Sequence, residues 1–119
     1  MTLEDLAIKI SNNILPAMIV EDIEKMESYQ KYLRTLKSKC KPLKGSEKQI
    51  AWAEKIRKAK LENAAFKICV NNAMKKGAEQ GLKNCPTGYD YSAKLQQIIK
   101  EAYEVIVAES WIIIDNNKI

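Results

Sequence analysis

GSEKQIAWAEKIRKAKLENAAFKICVNNA, residues Gly45 to Ala73, is the stretch whose reading decides the fold. Its opening, GSEKQ, is a start signal. In Ser46-x-x-Gln49 the serine hydroxyl accepts an orphan N–H of the first helical turn. The glutamine side chain reaches back to the serine's own N–H, completing a capping box. The residues beyond the box have a helical period. Trp52, Ile56, Ala59, Asn63, Phe66, Val70 and Ala73 recur at alternating four- and three-residue steps, which keeps them within about 60° of one line. This reads as a core seam anchored by Trp52, with Asn63 fixing its register. Ile50, Leu61, Ala64 and Ile68 fall near the opposite side, interrupted by Arg57. A helix apolar on two faces wants neighbours on both. Either it is the central helix of the domain, or Ile50, Arg57, Leu61 and Ile68 form a face for a partner protein or for a second copy in a homodimer.

Working outward, Gly77 weakens this helix and Gly81 ends it. Upstream, Cys40–Gly45 is a loop. Before it a helix is predicted from about Val20 to Lys39, with Ile19, Ile23, Met26, Gln30, Leu33 and Leu36 on its apolar stripe. Glu21 and Asp22 at its start and Lys37 and Lys39 at its end suit the helix dipole. A short first helix is capped by Thr2, with Asp5 at the third helical position, and Pro16 ends or kinks it near Ile14. Downstream, GLKNCPTGYD, residues 81–90, is the most turn-rich stretch of the chain. Asp90 or Ser92 caps a final helix whose buried face is Leu95, Ile98, Ile99, Ala102, Ile106 and Ile113. The closing WIIIDNNKI reads as a last helical turn or a short extended tail. The expectation is an all-α fold: one helical-bundle domain over residues 1–119, with three main helices plus a short N-terminal one.

Composition agrees with that class and excludes several chemistries. The 119 residues are 46% apolar and 29% charged, with only four Gly and three Pro. That mix is enough for one soluble core and favours helices. The N-terminus, MTLEDLAIKI, carries acids where a secretory signal places bases, and the most apolar C-terminal stretches fall short of the ~20 residues of a membrane span. A cytoplasmic protein with no membrane partner is expected. Histidine is absent, so a His-based triad is impossible, and Cys40, Cys69 and Cys85 cannot assemble a zinc site; they read as free thiols, with Cys69 buried. No glycine loop has phosphate-cradling spacing, and the carboxylates near the C-terminus read as a solvated face. The chain is expected to have no catalytic residues, no metal and no cofactor.

The net charge of +5 is uneven: −4 over residues 1–28, +11 over 29–86 and −2 over 87–119. The densest basic run is Arg34, Lys37, Lys39, Lys41, Lys44 and Lys48, spanning a helix end, a loop and a helix start. Such a run attracts RNA or DNA backbone phosphates or an acidic protein groove, helped by the N–H groups of the helix start. Tyr89 and Tyr91 are candidates for stacking on bases. With Arg34 and Arg57 the only arginines, recognition would be backbone-directed rather than base-reading. The alternative is that the acidic ends fold over the basic middle and cancel its field.

Leu43–Arg57, LKGSEKQIAWAEKIR, resembles a motif of small, largely uncharacterised proteins of bacteria, phages and mobile elements. Those proteins often carry a later W-I-D-N-R segment. Here Ile114–Asp115–Asn116 matches its centre, with Ile113 at the tryptophan position and Asn117 at the arginine position. The resemblance implies a small helical accessory protein. Its mobile-element context implies an inhibitor of host defence, similar to anti-CRISPR proteins, that occupies the surface of a protein or nucleoprotein complex. A nucleic-acid-binding regulator and a structural homo-oligomer are the alternatives.

Overall fold

The computed structural model describes residues 1–85, together with Gln97 and Lys100. The fold is all-α. Its elements are α1 (Leu3–Ser11), a short 3-10 turn (Pro16–Met18), α2 (Val20–Glu24), α3 (Glu27–Ser38) and α4 (Glu47–Glu79). α4, 33 residues long, has a rise of ~50 Å at 1.5 Å per residue and is the beam on which α1 and α3 lie. None of the helices among the described residues is both long and apolar enough to cross a membrane. The final helix expected after Asp90, and with it Tyr89 and Tyr91, lies outside the described residues.

Both expected capping boxes are present. At α1, the Asp5 N–H donates to Thr2 Oγ1 at 3.1 Å and the Thr2 N–H donates to Asp5 Oδ2 at 2.9 Å. At α4, Ser46 and Gln49 exchange the equivalent pair at 3.3 Å each. α4 ends where the glycines predict. Gly81 sits at φ +70°, the Leu82 N–H returns to the Gly77 carbonyl at 2.8 Å and the Gly81 N–H to that of Ala78 at 3.1 Å. This is the paired-bond termination that needs a left-handed residue. α1 closes in the same way, but with Asn13 at φ +66° in the glycine's place; the Ile14 N–H bonds the Lys9 carbonyl and the Asn13 N–H that of Ile10. Asn12–Asn13, rather than Pro16, therefore stops the first helix at Ser11. Pro16 instead opens the 3-10 turn.

The predicted helix from Val20 to Lys39 is two helices. The break falls at Lys25–Met26, where Met26 is extended at φ −66°, ψ 139°. Helical phase explains it. Tyr29, Leu33 and Leu36 share one line, but in an unbroken helix Ile23 would point more than ~80° away from them. The break re-aims it, so that Ile23, Met26, Tyr29, Leu33 and Leu36 are all buried. Tyr29 replaces Gln30 on the buried side; the exposed Gln30 instead donates its side-chain amide to the Glu24 carbonyl at 2.7 Å, satisfying the end of α2.

α3 runs back along α4. Met26 Sδ meets Cys69 Sγ at 3.8 Å near one end, and Arg57 Nη1 donates to the Lys41 carbonyl at 2.8 Å near the other. α1 lies on the C-terminal half of α4, with Glu4 Oε1 2.9 Å from Lys76 Nζ. Among the described residues one core joins Leu6 and Ile10 of α1, the α2–α3 stripe, Leu43 of the loop, and Ala53, Ile56, Leu61, Ala64, Ala65, Cys69, Val70 and Ala73 of α4. Burying each large aliphatic side chain contributes about 1.5–3 kcal/mol.

Two expectations for α4 are corrected by this packing. Trp52 is 53% exposed and not a core anchor. Of its predicted seam only Ile56, Val70 and Ala73 are buried, while Ala59 and Asn63 are exposed, so Asn63 fixes no core register. Ala53, Ala64 and Ala65 are buried on the side of α4 turned away from Trp52, which leaves the indole exposed. Conversely, Leu61 is only 2% exposed and belongs to the core. Ile50 and Ile68 are half-buried and pack against that core, so these residues do not form an open partner or dimer face. Arg57, half-buried beside them, holds the loop carbonyl of Lys41.

Candidate functional site

Arg34 and Lys37 stand on α3, Lys39 caps its end, Lys41 and Lys44 lie in the loop, and Lys48 is in the first turn of α4. All six are exposed. None of them carries an ion pair with a carboxylate among the described residues. The acidic N-terminal segment does not cover this end: its ordered ion pair, Glu4 with Lys76, lies at the opposite half of α4. Lys76 raises its own affinity for protons by that contact, and Glu4 is held below the usual carboxylate range chiefly by the hydrogen bond from Lys76.

The loop carrying Lys41 and Lys44 is fixed at two points. Leu43 is buried, and Arg57 holds the Lys41 carbonyl. Beside that bond a shallow cavity of about 300 Å³ is lined by Lys37, Cys40, Glu54, Arg57, Lys58 and Leu61. Three cations against one carboxylate make it a place for an anion rather than a cation. Cys40 is no nucleophile there: its thiol donates to the Leu36 carbonyl at 3.4 Å, and burial pushes its pKa up despite the opposing pull of Arg57.

The start of α4 offers less to a phosphate than expected. The capping box occupies the N–H groups of Ser46 and Gln49, so attraction at this end comes mainly from side-chain charge. The other two thiols are structural. Cys69 is fully buried and pushed up to about 11 by that burial, and Cys85 packs against Ala7 and Gly77. Among the described residues no three His, Cys, Asp or Glu side chains are grouped so as to hold a metal ion.

The basic run lies on the surface, and so does Trp52, which its helical spacing placed in the core. Trp52 projects from the second turn of α4, past Lys48, with Lys55 one turn further; both lysines are exposed. Further along the same edge, Val20, Glu24, Tyr29, Glu62, Asn63 and Phe66 line a second depression of about 240 Å³.

Comparison with known proteins finds no matching family model, no matching curated protein and no matching solved structure. The functional reading therefore rests on the residues of the basic end.

Proposed function

We propose that this protein is a non-enzymatic binding module whose basic end, Arg34 to Lys48, holds the phosphate backbone of a nucleic acid. The observation that carries this reading is the exposure of all six cations on a helix end, a loop fixed by Leu43 and Arg57, and a helix start. An ordered scaffold presents them, so less conformational freedom is lost on binding than from a mobile lysine tail. The cations are five lysines and one arginine, so recognition is by charge and not by base edge, and affinity falls steeply with salt. The host-defence role implied by the Leu43–Arg57 motif is compatible with the same surface: the strand held would be one exposed on a defence nucleoprotein in the cytoplasm. That role draws its support from the motif resemblance alone.

The test is fluorescence anisotropy with labelled DNA and RNA across a salt series. Wild type is expected to bind at low salt, with log affinity falling linearly against log salt. Lys41→Glu combined with Lys44→Glu is expected to weaken binding to single strands and duplexes alike by at least about ten-fold and to flatten the salt slope. Unchanged affinity in the double variant at low salt would overturn the assignment of this face.

A further inference from the structure

The exposed indole of Trp52 shares its side of α4 with Lys48, the last member of the basic run, and with Lys55. Taking ~100° and 1.5 Å per residue, Lys48 and Lys55 sit about 40° and 60° round the helix from Trp52 on the same side, roughly 6 Å before it and 4.5 Å after it. The nearest acids in sequence, Glu47 and Glu54, lie roughly 140–160° away, on the far side of α4. The neighbours of Trp52 one turn away are Lys48 and Lys55 on one side and Gln49 and Ile56 on the other, and the ring stays half-exposed among them. At 53% exposure the indole keeps an apolar face open to a ligand.

We propose that Trp52 is a base-stacking platform and that the ligand of the basic end is single-stranded nucleic acid. This inference rests on the nucleic-acid reading above and narrows it. An unpaired base laid on the indole removes both apolar faces from water, and Lys48 and Lys55 meet the phosphates on either side of that nucleotide. A duplex keeps its bases stacked on one another and has no face to offer the ring. A protein partner would also value an exposed tryptophan, but two lysines flanking it on one side, with the carboxylates turned away, complement a polyanion.

The experiment uses the full chain with Trp111→Phe, so that Trp52 is the sole tryptophan. Oligothymidine, oligouridine and a duplex of the same length are the probes. Addition of either single strand is expected to quench Trp52 fluorescence, and the duplex is not. Trp52→Ala is expected to reduce single-strand affinity at least about five-fold, leaving duplex affinity unchanged, while Trp52→Phe retains most of the binding. Thermal melts check that both variants stay folded, as the exposure of the residue predicts. If Trp52→Ala leaves single-strand affinity unchanged while the Lys41/Lys44 double variant lowers it, the platform is refuted and the basic end stands. If the wild type binds none of the probes, both readings fall. If Trp52 emission in the free protein is blue-shifted and resists iodide quenching, the ring is covered by the chain itself, and the platform is refuted on that ground alone.

Discussion

At the scale of single residues, the chain uses side-chain absence as deliberately as side-chain chemistry. Gly77 sits inside α4, where alanine would raise helix propensity by about 1 kcal/mol. A Cβ there would stand 2.5 Å from Cys85 Sγ, 3.0 Å from Cys85 Cβ and 3.3 Å from Ala7 Cβ. Overpacking of this kind costs about 1–3 kcal/mol, so the clash outweighs the propensity gain. Gly77→Ala is therefore expected to lower stability in urea unfolding. In a Cys85→Ala background most of that loss should vanish, because the shortest contact has gone. Equal losses in the two backgrounds would show that the strain lies elsewhere. The reading of Trp52 turns on packing too. Its spacing with Ile56 and Val70 is a true helical line, but spacing does not say which of two lines a neighbour covers. Ala53, Ala64 and Ala65 are buried and Ala51 and Ala59 exposed, so packing against the neighbouring helices decides which line is covered.

At the scale of elements, start and stop signals were more legible than apolar stripes. Thr2–Asp5 and Ser46–Gln49 specify their helix starts through side chains that bond locally, so their reading does not depend on which face a neighbour covers. Ser46→Ala removes the acceptor for the Gln49 N–H and is expected to cost about 1 kcal/mol, read as a lowered thermal midpoint. Ser46→Asp, which keeps an acceptor, is expected to restore it. An unchanged midpoint in the alanine variant would mean that α4 is held by packing alone. The division between α2 and α3 was hidden because no Gly or Pro marks it. It arises from a phase conflict between Ile23 and the Tyr29–Leu33–Leu36 line, and α4 resolves that conflict once it is present as a template. Gln30, a polar residue on an otherwise apolar stripe, was its one local trace.

At the scale of the whole molecule, α4 joins two unequal partnerships. α3 and the residues flanking it meet α4 through contacts 16, 40 and 43 residues apart in sequence: Arg57 to Lys41, Asn72 to Tyr32 and Cys69 to Met26. α1 meets it, and the turn beyond it, through contacts 72, 73 and 78 apart: Lys76 to Glu4, Asn84 to the Ser11 carbonyl, and Cys85 to the Ala7 carbonyl. Asn84 also donates to Asn13 Oδ1 at 2.8 Å, so the turn after α4 grips the turn after α1. A helix of nine residues does not hold its shape alone in water, and beyond its own caps the hydrogen bonds that hold α1 in place come from the far end of the described chain. Amide hydrogen exchange is therefore expected to divide the protein, with α1 exchanging through local opening well before the middle of α4. Equal protection of both would make the fold one cooperative unit. The same closure has a consequence for biosynthesis. α1 leaves the ribosome long before Lys76, Asn84 and Cys85, so the bonds that tie it to the end of α4 form only once synthesis has passed Cys85.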